Sequence, residues 1–256
     1  MRTVVDDTGV SVVLPPDVRR VVSLVPSLTE TVAVSAPGLL VGATNWCTHP
    51  PDLDVVRVRG TKNPDVATVV ALAPDLVLAN AEENRVADLA ALREAGLAVF
   101  VTDIRTVTGA IASLERVLSA CGLPCPGWLD DARRAWERPT WVDGERRVRA
   151  VVPIWRRPWL ALGRDTFAGD VLSRLGVDHV FADGSERYPR FTPSAVPALD
   201  LVVLPDEPYR FTADDGPEAF PGLPAALVDG RMLTWYGPSL VDAPGVLVSQ
   251  LRATLP

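Results

Sequence analysis

The residues best equipped for chemistry stand in a few loops. Cys47-Thr48-His49 puts a thiol two residues from an imidazole, a pair suited to a soft or borderline metal. Two donors do not close a metal site, so further ligands would have to come from elsewhere in the chain. Aromatic side chains gather in similar contexts: Trp46, Trp155, Trp159, Tyr188, Tyr209, Trp235 and Tyr236. Such rings either pack a core or cover a flat, largely apolar ligand by area burial and stacking. Arg156, Arg187, Arg59 and Lys62 accompany them, and Lys62 is the only lysine of the chain. These cations either meet carboxylates on a ligand or pair with Asp206, Glu207, Glu82 and Glu83 inside the protein. His179 falls on a short strand and reads as a satisfied buried residue, and Glu30 reads as part of a helix cap. No nucleophile elbow, Walker loop, dinucleotide-binding glycine pattern or His-Glu-x-x-His is present. Catalysis would therefore rest on carboxylates, Cys47 or a bound cofactor.

Composition narrows the partners. A chain of 256 residues, 48% hydrophobic and 22% charged, is globular in type. Its net charge of −7 opposes nucleic-acid binding, which needs a basic surface. No apolar run approaches the roughly 18 residues of a membrane span. The opening Met1-Arg2-Thr3-Val4-Val5-Asp6-Asp7 lacks the apolar stretch of a secretory signal. Three cysteines, Cys47, Cys121 and Cys125, leave at least one unpaired, and Cys121 and Cys125 read as two free thiols. Both features point to a cytoplasmic protein, the alternative being an exported one whose signal has been removed.

The elements that must position these residues repeat. In the first half the pattern predicts a strand over 21–25 and a helix opened by a capping box, Ser27-Leu28-Thr29-Glu30. A strand over 39–43, a helix over 65–72, a strand over 75–79, a helix over 84–95 ending at Gly96 and a strand over 98–102 follow. The second half predicts strands over 149–154, 179–181, 201–204 and 226–228, with helices over 167–175, ending at Gly176, and 194–199. Ala73-Pro74-Asp75-Leu76-Val77-Leu78-Ala79 is echoed by Ala198-Leu199-Asp200-Leu201-Val202-Val203-Leu204. Alternating strands and helices specify parallel sheets. Between the halves lie helices over 108–121 and 126–137, the second carrying Trp128, Leu129, Ala132 and Trp136 on one face. A helix of about 12 residues spans roughly 18 Å, which suits a strut. The expected fold is α/β, with two Rossmann-like lobes built on parallel central sheets, joined by a rigid linker helix, with a ligand cleft between the lobes. The expected boundaries are an N-terminal lobe over 1–107, linker helices over 108–140 and a C-terminal lobe over 141–256. A small molecule in that cleft is the expected partner.

The loop sequences resemble a known family. Val22-Ser23-Leu24-Val25-Pro26-Ser27-Leu28-Thr29-Glu30 is similar to the opening motif of class III periplasmic-type substrate-binding proteins. Asn45-Trp46-Cys47-Thr48-His49-Pro50-Pro51, Gly60-Thr61-Lys62-Asn63-Pro64 and Ala79-Asn80-Ala81-Glu82-Glu83-Asn84-Arg85 resemble one subgroup, the helical-backbone metal receptors of cobalamin-binding type. Pro153-Ile154-Trp155-Arg156, Gly163-Arg164-Asp165-Thr166-Phe167, Arg187-Tyr188-Pro189, Leu204-Pro205-Asp206-Glu207-Pro208-Tyr209 and Thr234-Trp235-Tyr236-Gly237-Pro238 complete the likeness, which runs from about Val4 to the end. The resemblance implies a cleft-type binding protein for a corrinoid such as cobalamin or a related metal chelate. It implies ligand contacts from Trp46, Trp155, Arg156, Tyr188, Trp235, Tyr236, Lys62 and Glu207. Importer-bound receptors of this class resemble one another in carrying a docking glutamate on each lobe. Ala67 and Ser194 stand at those positions here, so the expectation is a receptor not docked to an ABC importer. The alternative is a cytoplasmic metal-dependent enzyme, chelatase or metal-delivery factor reusing the fold, with Cys47 and His49 binding metal directly.

Overall fold

In the computed structural model, which describes residues 1–144 and 146–255, strands and helices alternate through both halves of the chain. The first half runs β1 (Arg2–Val5), β2 (Ser11–Leu14), β3 (Val21–Ser23), α1 (Pro26–Ser35), β4 (Leu40–Ala43), β5 (Val56–Arg57), β6 (Arg59–Gly60), β7 (Asn63–Pro64), α2 (Val66–Ala71), β8 (Leu76–Asn80), α3 (Val86–Glu94) and β9 (Val99–Thr102). It continues through α4 (Val107–Ala120), α5 (Gly127–Glu137), β10 (Val148–Val151), β11 (Pro153–Arg156), β12 (Trp159–Ala161), α6 (Phe167–Arg174), β13 (Val177–His179), β14 (Leu201–Pro205), β15 (Ala225–Val228), α7 (Gly230–Thr234) and α8 (Ala243–Arg252). Two compact units result. The first comprises Met1–Ile104, Gly109–Leu129 and Tyr236–Pro238, and the second Arg105–Thr108, Asp130–Trp235 and Ser239–Pro256.

Each unit is built on a parallel sheet, as the alternation predicts. The first has strand order β5-β4-β3-β8-β9 and the second β13-β10-β14-β15, with parallel pairing throughout. Every residue of β8, β9 and β14 is buried, which explains their unbroken apolar runs: strands covered on both faces have no polar side. In the first unit Val22, Val77, Ala79, Val99 and Val101 pack with Val69, Leu89 and Leu92. In the second, Val151, Val202 and Leu204 pack with Ala161, Phe211 and Phe220. Gly96 and Gly176, at φ of 84° and 83°, take the left-handed conformation that closes α3 and α6.

Several expectations need correction. α1 opens at Pro26 with Val25 as N-cap and no side-chain cap, so Ser27 to Glu30 do not form a capping box. Proline already occupies the first turn, where its missing N–H costs nothing. Glu30 is instead buried inside the helix. The strand expected over 149–154 is two strands, because Pro153 cannot donate to the parallel ladder and pairs with Ala161 in an antiparallel hairpin. The helix expected over 194–199 shrinks to one 3-10 turn, Pro193–Ala195, since Pro197 follows. The strand expected over 179–181 begins earlier, directly after Gly176. The β1–β2 hairpin and α8 were not anticipated. The hairpin turns around Asp6, whose carboxylate accepts from the backbone N–H groups of Thr8, Val10 and Val101.

The predicted apolar face of α5 is real: Leu129, Ala132 and Trp136 are buried. The Trp136 indole N–H donates to the Leu240 carbonyl at 2.9 Å, and that residue is fully buried. Trp136→Phe strands the carbonyl and removes ring volume, so it should destabilise the protein by about 2 kcal/mol. Urea unfolding checks this, and an unchanged midpoint with an unchanged slope would contradict it.

Candidate functional site

In an open parallel sheet, loops leaving the C-terminal ends of the strands are where a ligand is usually met. In the first unit these loops follow β3, β4, β8 and β9. After β4 comes Trp46, whose side chain is two-thirds in solvent (66% exposed). Cys47 beside it is buried, with Thr29 Oγ1 donating to its Sγ at 3.0 Å and Thr44 Oγ1 3.2 Å away. Burial, only partly offset by the Thr29 and Thr44 hydrogen bonds, pushes this thiol up, and the charge of Glu83 adds to the rise. His49 bonds through Nδ1 to Thr48 Oγ1 at 3.1 Å. Arg57 binds the loop from below, donating to the carbonyls of Thr44, Cys47 and Leu53. A shallow depression of about 410 Å³ lies among Asn45, Cys47, Thr48, Pro51 and Arg57. Among the described residues, no group of three or more His, Cys, Asp or Glu is arranged to hold a metal ion.

The loop after β8 is pinned by two buried asparagines. Asn80 Oδ1 accepts from the backbone N–H of Glu82 at 2.9 Å and of Glu83 at 3.2 Å. Asn84 Oδ1 accepts from Asn80 N, while its Nδ2 donates to the Thr61 carbonyl. Lys62 donates to the Glu82 carbonyl, and Arg59 pairs with Asp65 at 3.5 Å. The loop therefore presents Glu82 and Glu83 in a fixed backbone frame. Tyr236, from the segment Tyr236–Pro238 that belongs to this unit, donates its hydroxyl to Glu83 Oε1 at 3.2 Å. Burial, reinforced by Glu82, pushes the Glu83 carboxyl up to about 7, against the pull of Tyr236 and Lys62. The Tyr236 phenol, buried and facing that carboxyl, is raised well above its usual value. Sequence reasoning missed the Asn80 and Asn84 pair, although two amides four residues apart at a strand end signal local backbone capping.

The second unit carries its own aromatic loops. Trp155, on β11, is 42% exposed and meets Tyr209 edge-on with centroids 5.6 Å apart. Arg156 is held by Asp215 and Glu218 and lies 5.4 Å from the Trp159 ring, which stacks on Phe211 within the core. Tyr188 is 37% exposed, with the Arg187 guanidinium 5.7 Å from its ring. The Gly163 backbone runs so close beneath this loop that a Cβ there would lie 2.3 Å from the Glu186 carbonyl. Trp235 is buried, its indole N–H donating to Glu207 Oε2 at 2.9 Å. His179 is buried as expected, and burial lowers its pKa. Its ring bonds to the Leu162 backbone, while Nδ1 meets no hydrogen-bond partner among the described residues, so the expectation of a satisfied histidine holds in part. Among the eight expected ligand contacts, then, Trp46, Trp155 and Tyr188 offer exposed rings, Lys62 is exposed, and Trp235 and Tyr236 are buried.

No family model matches the chain. The chain is 24% identical over 205 residues to the vitamin B12-binding protein of Vibrio cholerae, covering 78% of this chain and 72% of that protein. It is 27% identical over 218 residues to an uncharacterized ABC transporter substrate-binding lipoprotein, YvrC of Bacillus subtilis, covering 80% and 69%. The solved structure of the periplasmic heme-binding protein BhuT with two hemes superposes with a TM-score of 0.76 at 24% identity, covering 93% of this chain and 99% of that one. The resemblance to class III substrate-binding proteins is borne out, and the chain has their two-unit α/β fold. The expected cytoplasmic location is overturned, because these relatives are named as a lipoprotein and a periplasmic protein, which points to export. The unpaired cysteines carried no weight on this point. All three are free thiols, Cys47 and Cys121 buried and Cys125 exposed. The doubt about importer docking also finds no support in these relatives.

The raised Glu83 pKa sets a pH dependence of stability. Between its ordinary value of 4.5 and about 7, the unfolded chain has released this proton and the folded protein has not. Stability from this group is therefore fully present below about 4.5 and declines as pH rises through 7, by about 1–3 kcal/mol. Glu83→Gln removes the loss. Its melting temperature relative to the parent should climb between pH 5 and 7.5 and level off above. A difference that stays constant from pH 4 to 8 would contradict the assignment.

Proposed function

We propose that this protein is a receptor for a corrinoid or heme-like metal chelate, held against aromatic loops at the C-terminal ends of its strands. The observation that carries the reading is the exposure of Trp46, Trp155 and Tyr188. Large rings are ordinarily taken mostly out of water, and these three remain partly in it, Trp46 and Tyr188 in loops and Trp155 on β11. A flat macrocycle covers such rings with area burial and stacking, while its polar periphery meets donors at the rim. Lys62 supplies one such donor: with one N–H committed to the Glu82 carbonyl, it retains two for carboxylate or amide groups of the cargo. Within the second unit Arg156 is tied to Asp215 and Glu218, and Glu207 accepts from the Trp235 indole, which fixes the elements that carry its aromatic rings. The relatives named for vitamin B12 and heme support this class of cargo without choosing within it. The name of the Bacillus subtilis relative, an ABC transporter substrate-binding lipoprotein, supports delivery to a transporter as the task such a receptor performs.

Titration with cyanocobalamin, hemin and ferric siderophores, followed by tryptophan fluorescence, tests the proposal. One of them should quench with saturation. Trp46→Ala and Trp155→Ala should each weaken that ligand by roughly 5–30-fold, equivalent to about 1–2 kcal/mol. Silence from all three at ~100 μM, a weak affinity for a small-ligand site, overturns the reading.

A further inference from the structure

We propose that Gly60 is a positioning residue for cargo binding: its missing side chain leaves the space against which the Trp46 indole is seated, and filling that space tilts the ring. The proposal rests on the receptor reading above and adds to it a residue that acts through Trp46 without touching cargo.

Gly60 is glycine for want of room rather than for backbone freedom. It lies in β6, and its φ falls outside the left-handed region that favours glycine. A Cβ there would nevertheless stand 2.5 Å from Asn63 Oδ1 and 3.3 Å from the Trp46 indole nitrogen. Gly60 is buried whereas Asn63 and Trp46 are exposed, so these two side chains form its cover. The two obstacles differ in kind. Asn63 Oδ1 is the end of an exposed side chain, which a change of rotamer moves aside. The Trp46 nitrogen belongs to a rigid ring on two rotatable bonds, so a push at its edge turns the whole ring.

The backbone on both sides is held against retreat. Next to Trp46, the Asn45 N–H donates at 2.7 Å to the carbonyl of Arg59, the neighbour of Gly60. Arg57 donates to the carbonyls of Thr44 and Cys47, which flank the tryptophan. Arg59 holds a φ of 65°, a conformation that a residue with a Cβ keeps only when its surroundings impose it. At the hairpin turn, the Thr61 carbonyl accepts from Asn84 Nδ2 at 2.9 Å, and Lys62 donates to the Glu82 carbonyl. An added methyl therefore presses on the two side chains rather than on the main chain. Contact between a ring and a flat ligand depends on their mutual orientation, so a tilted Trp46 covers less of the cargo.

The test is calorimetric titration of cyanocobalamin and of hemin into the intact parent, Gly60→Ala, Trp46→Ala and the double variant, with melting temperatures confirming the fold. Whichever probe the parent binds should bind Gly60→Ala about 3–10-fold more weakly, a smaller loss than removing the ring itself. In the Trp46→Ala background the same substitution should change affinity by less than about twofold, because the ring through which it acts is gone. Asn63→Ala removes the nearer obstacle and leaves only the contact with Trp46. Gly60→Ala in that background should lose about the same 3–10-fold relative to Asn63→Ala, and the Trp46→Ala comparison is run there if Gly60→Ala alone does not fold. Parent-like affinity in Gly60→Ala, or an equal loss with and without Trp46, overturns the inference and leaves the receptor reading standing. Failure of both probes to bind the parent overturns both.

Discussion

A parallel strand covered by helices on both faces has nowhere to put a polar side chain except at its ends, and that constraint shapes this molecule. β8 and β14 are buried at every position, so the sheets themselves carry no recognition chemistry. Function is left to the loops. A loop is useful only if something fixes it, and the first unit does this with side chains that replace missing backbone partners. Asn80 and Asn84 cap the turn after β8, and Arg57 gathers three carbonyls of the loop after β4. Backbone groups beyond a strand's end would otherwise be buried without partners, at about 1–3 kcal/mol each.

Much of this was legible in the sequence. Continuous apolar runs separated by helical periodicity specify a parallel sheet with little ambiguity, and the echo of 73–79 in 198–204 falls on β8 and β14, which occupy corresponding positions in the two sheets. Glycines ending helices were equally plain, because only a left-handed residue closes the turn cheaply at Gly96 and Gly176. Proline decided the failures. Pro26 starts α1 where a capping box was expected, Pro153 splits a strand, and Pro197 stops a helix after one turn. Each time local backbone chemistry overrode a side-chain pattern. The β1–β2 hairpin was missed although its alternating burial and the Asp7-Thr8-Gly9 turn were available as signals.

The site was legible in its parts and not in its pairings. Aromatic residues in loops were evident, but exposure separates them sharply: Trp46 and Trp155 reach solvent while Trp235 and Tyr236 are enclosed. No periodicity distinguishes these cases, since each ring's position depends on partners far along the chain. Tyr236 meets a carboxyl 153 residues earlier. The same holds for the thiol. Beside His49 in sequence, Cys47 reads as a metal donor, yet in the fold its sulfur is occupied by Thr29 and Thr44 and its proton is retained.

The partner choices of the cations carry the synthesis one step further. Arg59 is taken by Asp65, Arg156 by Asp215 and Glu218, and Arg187 donates to the Asp165 carbonyl. Charges that the sequence offers to a ligand are thus largely spent on holding loops in place. On the proposed receptor reading, a surface organised in this way discriminates by shape and ring area more than by ion pairing. An ion pair exposed to water contributes only about 0–1 kcal/mol, whereas covering a large aromatic ring contributes more and is less sensitive to salt. Recognition by rings tolerates cargo differing in peripheral groups, which is consistent with one fold serving relatives named for vitamin B12 and for heme. On the same reading, selectivity among such cargo comes from polar groups rather than from the rings. In the first unit Lys62 donates to the Glu82 carbonyl, and burial holds the neighbouring Glu83 carboxyl at about 7.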